Sequence, residues 1–203
     1  MHNEQLAQFW KKYKILVYII VVLLVLFVAG MEAYKAHRLT VLTSNSDTYE
    51  QAVILNAKGQ TEEALATYEK LQNAGTNYKY LSMLRRAGIL FEQEKKQEAL
   101  SLLRNVYEDK SAPNVLQTIA IFGFVSQQID TMDTTQAHNM IAPYLVASNP
   151  YYGTAVELEI ILLIKQNKKP EAVSLIDQAL TVTSVSQEAK QRLSVIKQGL
   201  TDK

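Results

Sequence analysis

Four short stretches of this chain scan the same way. "GQTEEALATYEKL" begins at Gly59, "KKQEALSLLRNV" at Lys95, "DTTQAHNMIAPYL" at Asp133 and "KKPEAVSLIDQAL" at Lys168. Each has a polar lead-in, then Glu or Gln followed by Ala, then apolar residues at helical spacing. The alanines are Ala64, Ala99, Ala137 and Ala172, separated by 35, 38 and 35 residues. Self-similarity at this period means stacked supersecondary units, each burying its apolar face against its neighbours. A small residue at a fixed place lets two helices cross closely, where a larger side chain would push them apart. Four residues on comes an apolar knob: Tyr68, Leu103, Ile141 and Ile176. Seven residues on come Leu71, Val106, Tyr144 and Ala179, so one helix face is used throughout.

A helical hairpin repeating every ~34 residues is the tetratricopeptide unit. In that frame the alanines lie on the second helix of each hairpin. The first helices are the more apolar ones: "YKYLSMLRRAGILFEQ", "VLQTIAIFGFV" and "TAVELEIILLIKQ" are apolar over more than one stripe, as helices packed between neighbours should be. Boundary signals fit. Thr61 is placed to cap a helix opening on Glu62 and Glu63. Pro113, Pro150 and Pro170 sit at predicted helix starts, and Gly59 and Gly75 at stops or turns. Pro143 falls inside the third second-helix and should kink or shorten it. A last helix over about 186–199 has Ala189, Leu193, Ile196 and Leu200 on one face and polar residues elsewhere, the pattern of a terminal cap. The expected fold is all-α: an N-terminal transmembrane helix followed by a tetratricopeptide-like array of about four hairpins plus a C-terminal capping helix.

Residues 15–30, "ILVYIIVVLLVLFVAG", carry no charge. As a helix they rise roughly 24 Å, and Met31, Ala33 and Tyr34 extend them towards the ~20 residues that a bilayer core needs. Trp10, Tyr13 and Tyr34 sit where interfacial aromatic residues belong. Val28, Ala29 and Gly30 would serve as the cleavage site of a secretory signal, but the run exceeds the ~7–15 apolar residues of such signals, which favours a retained anchor. Lys11, Lys12 and Lys14 on the N-terminal flank put the N-terminus in the cytoplasm. The expected division is a cytoplasmic tail over 1–14, a transmembrane helix over 15–34, a juxtamembrane linker over 35–47 and the array over 48–203. The anchor helix is expected to break near Ser44 and Asn45, in the polar "TSNSD". No long flexible linker follows, so the array should sit close to membrane lipid.

The sequence offers no catalytic constellation. It has no cysteine, and His2, His37 and His138 are scattered without metal-ligand spacing. Glu62 and Glu63 are neighbours on a helix and point apart. Phe91, Phe122 and Phe124 read as core, and Arg85 with Arg86 as the polar face of a mostly buried helix. The 172 residues after Met31 hold 18 basic and 19 acidic side chains, a balance that argues for no nucleic-acid partner. No cofactor and no metal are expected, and the chain reads as a binding protein, not an enzyme. Register with the alanines gives a candidate partner-binding face: Tyr49, Val53 and Asn56; Leu81, Leu84 and Phe91; Glu157, Ile161 and Ile164. It would be apolar and weakly charged. Either it is an open groove for an extended or helical apolar segment, or the array closes over it as core. The third hairpin is about three residues longer and its register is open.

The combination of a short basic tail, one membrane helix and a small exported array resembles the ancillary subunit family of the bacterial Sec translocon, in its alphaproteobacterial type. The segments "YEQAVILNAKGQTEEALATYEKL", "AGTNYKYLSMLRRAGILFEQEKKQEAL" and "IAPYLVASNPYYGTAVELEIILLIKQNKKPEA" carry the likeness. The resemblance implies an inner-membrane protein with a periplasmic C-terminal domain. It implies as partners the SecYEG translocon and a membrane-anchored periplasmic chaperone of the prolyl-isomerase type, with an adaptor or holdase role for exported chains. Lys95 with Lys96 and Lys168 with Lys169 stand where many repeats have a Gly-Asp turn, which leaves the tightness of those turns open. The alternative is a scaffold for cell-envelope assembly or cell division.

Overall fold

The computed structural model describes the backbone of residues 2–75 and 77–202, with side chains from Lys14 onward. The side chains of Trp10, Lys11, Lys12 and Tyr13 lie outside the described residues. Among the described residues the chain is all helix and turn. Helix α1 (His2–Ala57) is followed by α2 (Thr61–Glu69), α3 (Tyr78–Glu92), α4 (Lys96–Glu108), α5 (Asn114–Gln128), α6 (Thr134–Ile141), α7 (Tyr152–Lys165), α8 (Lys169–Thr181) and α9 (Gln187–Thr201). The C-terminal part of α1 pairs with α2, then α3 with α4, α5 with α6 and α7 with α8, and α9 closes the stack.

Helix α1 is continuous over 56 residues, about 84 Å at 1.5 Å per residue. The break expected near Ser44 and Asn45 is absent. No Gly or Pro occurs between Gly30 and Gly59. The hydroxyls of Thr40, Thr43 and Thr48 donate back to the carbonyls of Ala36, Leu39 and Ser44 at 3.0, 3.0 and 2.8 Å. Polar side chains here are satisfied inside the helix, so they do not end it. The apolar segment is bare: Leu23 is 60% and Phe27 67% exposed. It is a helix long and apolar enough to cross a membrane.

Three of the four hairpin turns share one geometry. Gly59 (φ 76°), Glu94 (φ 61°) and Asn167 (φ 57°) each take a left-handed conformation five residues before the repeat alanine. The next residue's amide donates back to Leu55, Leu90 or Leu163, at 3.0, 2.9 and 2.8 Å. This is a Schellman-type stop. The Lys pairs therefore follow tight turns, with the left-handed residue supplied by Glu94 and Asn167 where Gly is lacking. The third hairpin departs from it: Asp133 caps α6 instead, accepting from the Gln136 amide at 2.9 Å. Pro143 shortens α6 to eight residues and a single 3-10 turn, Ala142–Tyr144, continues it. Thr61 does not cap α2. It is the first helical residue, and the preceding Gln60 makes no side-chain cap. Ser186 caps α9 through the Ala189 amide at 3.2 Å.

Ala64, Ala99, Ala137 and Ala172 are each fully buried, as are Ile141 and Ile176, with Tyr68 and Leu103 nearly so. The core is a chain of clusters, from Ala52, Ala64 and Tyr68 at one end to Ile176, Ala189 and Leu193 at the other. Asp109, just past α4, staples the second and third hairpins. It accepts from the Ser111 amide (2.8 Å), Tyr80 Oη (2.9 Å) and Lys79 Nζ (3.1 Å). Gln117 donates to its carbonyl at 2.9 Å.

Candidate partner-binding face

Successive first helices approach one another: α1 with α3, α3 with α5, α5 with α7, and α7 with α9. Among the described residues no second helix comes that close to another second helix. The stack is therefore narrower on the first-helix side and wider on the other. The first-helix side is the concave one, and α9 occupies the place of a fifth first helix.

The candidate residues divide into three groups on this side. Val53, Asn56 and Leu84 line one cleft of about 220 Å³ between α1 and α3, together with Tyr68, Arg85 and Glu92. This cleft is mixed in character, not apolar, because Arg85 and Glu92 border it. Tyr49 stands beside it, edge-on to Tyr68 at 5.5 Å and tilted against Tyr78 at 5.6 Å. The Arg85 guanidinium donates to Tyr49 Oη at 3.1 Å. Leu81 and Phe91 are half-buried against the cluster of the second and third hairpins. In α7, Ile161 is exposed, Ile164 packs partly against the last cluster, and Glu157 accepts from Arg192 of α9 at 2.7 Å. The face is thus open at Val53 and Ile161, half-filled along α3, and charge-paired where α9 meets α7.

Two exposed apolar residues of this kind lie outside the candidate set. Val115 and Ile119, on α5, are 48% and 46% exposed. The three extra residues of the third hairpin hid them. Subtracting three places Ile119 at the register of Tyr49, Leu84 and Glu157, and the 38-residue spacing was the signal.

Elsewhere most polar groups have structural partners, though Arg86 Nε and Gln93 Oε1 are buried without one. Glu62 accepts from Gln93 at 2.9 Å and Glu63 from Gln60 at 3.0 Å, so the two acids diverge. His138 Nδ1 lies 2.8 Å from Glu159 Oε2, a carboxylate that α7 holds against α6. Arg86 reaches Glu69 at 3.5 Å with most of its side chain covered. Phe122 and Phe124 are core. Among the described residues no three His, Asp or Glu side chains gather to hold a metal.

The model of the family described as "Tetratricopeptide repeat-like domain" matches residues 7–200. No curated protein matches the chain. No solved structure does either.

Proposed function

Because the chain belongs to the tetratricopeptide repeat-like domain family, a binding-scaffold type, we propose that it is a single-pass membrane adaptor working by contact alone. Its N-terminus is cytoplasmic and its array lies on the periplasmic side of a bacterial inner membrane. Its partners are the SecYEG translocon and a membrane-anchored periplasmic chaperone of the prolyl-isomerase type, and it assists exported chains leaving the channel. The observation that carries this reading is the union of two features in one chain. A 56-residue helix, whose exposed apolar segment has membrane-spanning hydropathy, runs unbroken into the first hairpin of a repeat array. The array's concave side presents exposed aliphatic residues from three of its first helices, α1, α5 and α7: Val53, Ile119 and Ile161. Anchoring turns a weak encounter into a local one by raising effective concentration. The basic flank at Lys11, Lys12 and Lys14 supports the orientation.

The test is photocrosslinking in intact cells from probes at Val53, Ile119 and Ile161, read by mass spectrometry. Translocon subunits, the chaperone and exported chains are the expected products. Recovery of wall-synthesis or division proteins alone would replace this reading with that of an envelope scaffold.

A further inference from the structure

The two ends of the array differ in charge. Helix α1 enters from one end, and every second helix returns towards it. At the opposite end every turn is charged: Lys58, Glu94 with Lys95, Asp130 with Asp133, and Lys168. At the anchor end, residues 71–78, 139–156 and 178–187 hold no charged side chain. They cover the α6–α7 and α8–α9 connections and all of the α2–α3 connection except Lys70, which is exposed. The fourth, between α4 and α5, holds Asp109, and that carboxylate is paired with Lys79 at 3.1 Å; Lys70 and Lys110 are the exposed charges in these connections. The α6–α7 and α8–α9 connections are tied together, with Ser184 Oγ donating to the Ala147 carbonyl at 3.0 Å. Their outer surface is apolar or neutral, with Val146 54% exposed and Pro143, Ala147 and Pro150 also exposed.

A second observation sets the height of this end. Gly75 and Asn77, in the α2–α3 connection, share a cavity of about 360 Å³ with Tyr34, Arg38 and Val41 of α1. Tyr34 lies four residues past Gly30, about 6 Å along the helix axis. A headgroup layer is roughly 5–8 Å deep on each side of a bilayer. The α1 lining of this cavity runs from Tyr34 to Leu42, about 6 to 18 Å past Gly30, so the first of these connections begins at headgroup depth and extends beyond it when the apolar run of α1 fills the hydrocarbon.

We infer that the array rests on the bilayer through this sparsely charged end, with lipid as the second partner of the chain after the span itself. A Pro- and Tyr-containing rim whose exposed charges are lysines enters the interface at low desolvation cost, the amines reaching the headgroups, whereas the charged turns at the other end, which include acids, stay in water. The contact fixes the tilt of the array, so the concave side opens sideways along the membrane plane and not upward. This rests on the reading of α1 as a membrane span.

The chain lacks cysteine, so single cysteines are clean probes. Full-length protein is reconstituted in phosphatidylethanolamine–phosphatidylglycerol vesicles with a fluorophore at Leu23, Asn73, Val146, Thr183, Lys95 or Lys168. Quenching is measured with lipids spin-labelled at the headgroup or along the acyl chain. The expected result is acyl-chain quenching at Leu23 and headgroup quenching at Asn73, Val146 and Thr183 several-fold above that at Lys95 and Lys168. Equal, weak quenching at both ends with Leu23 still in lipid overturns the inference and leaves the anchor standing. Loss of acyl-chain quenching at Leu23 overturns the anchor as well. Shielding of Val146 from water without lipid quenching assigns the surface to a second copy of the chain and overturns lipid contact.

Discussion

Gly59, Glu94 and Asn167 show how one backbone requirement is met by three residues. Left-handed φ costs a residue with a Cβ roughly 1–2 kcal/mol; Gly avoids this and Asn tolerates it better than Glu. No heavy atom lies within 4 Å of a Cβ added at Gly59, so substitution there is charged to the backbone alone. Glu94→Gly should raise stability by up to about 1 kcal/mol and Gly59→Ala should lower it by about 1 kcal/mol. Thermal unfolding of the detergent-solubilised chain measures both. Asp109 gives a pH signature. The Ser111 amide, then Lys79 and Tyr80, hold its carboxyl down to about 2 from an ordinary 3.8. A depressed carboxylate stabilises the fold above its unfolded-state pKa, and that contribution is lost as pH falls from about 4 towards 2. Asp109→Asn should flatten the melting temperature over that window and leave its slope near neutral pH unchanged. Neither residue drew notice in the sequence. The αL role of Glu94 comes from its place in a turn, and Asp109 acquires its partners from α3, 30 residues upstream.

At the scale of elements, α1 departs most from what its composition suggests. Ser44, Asn45 and Asp47 are poor helix formers, yet the helix passes through them because Tyr78 and the α2–α3 connection pack beside it. Tyr78 Oη donates to Ser46 Oγ at 3.0 Å. Tertiary contact overrides weak propensity here. Spin labels at Met31 and Ala57 should stand at one narrow distance, about 39 Å between backbones for an unbroken helix. A short, broad distribution would mean a hinge at Ser44. The shortening at Pro143, by contrast, was legible, since the cause is the residue's own missing N–H and fixed ring. The four alanine crossings were equally legible: the requirement for a small side chain recurs at each repeat, and all four prove fully buried.

For the whole molecule, stability should follow the logic of a stack. Each hairpin touches its neighbours, and α9 covers the last one with Leu193 fully buried between α7 and α8. Leu193→Ala should cost about 2–5 kcal/mol. In a quasi-one-dimensional array the loss should fall first on the end nearest the change. Hydrogen exchange should therefore speed up over 152–202 while the amides of α3 and α4 keep their protection. Uniform loss along the chain would mean a single cooperative unit.

The sequence by itself determined the helical class, the repeat length, the small-residue crossings, the cap and the apolar run, because each is written in spacing within one or two turns. Tertiary structure alone decided that α1 continues through its polar stretch, that Asp109 meets Lys79 and Tyr80, and that the uncharged α6–α7 and α8–α9 connections are tied together. Those outcomes depend on how successive hairpins are rotated and shifted against each other. That is a sum of many side-chain packings between distant residues, and no local pattern records it.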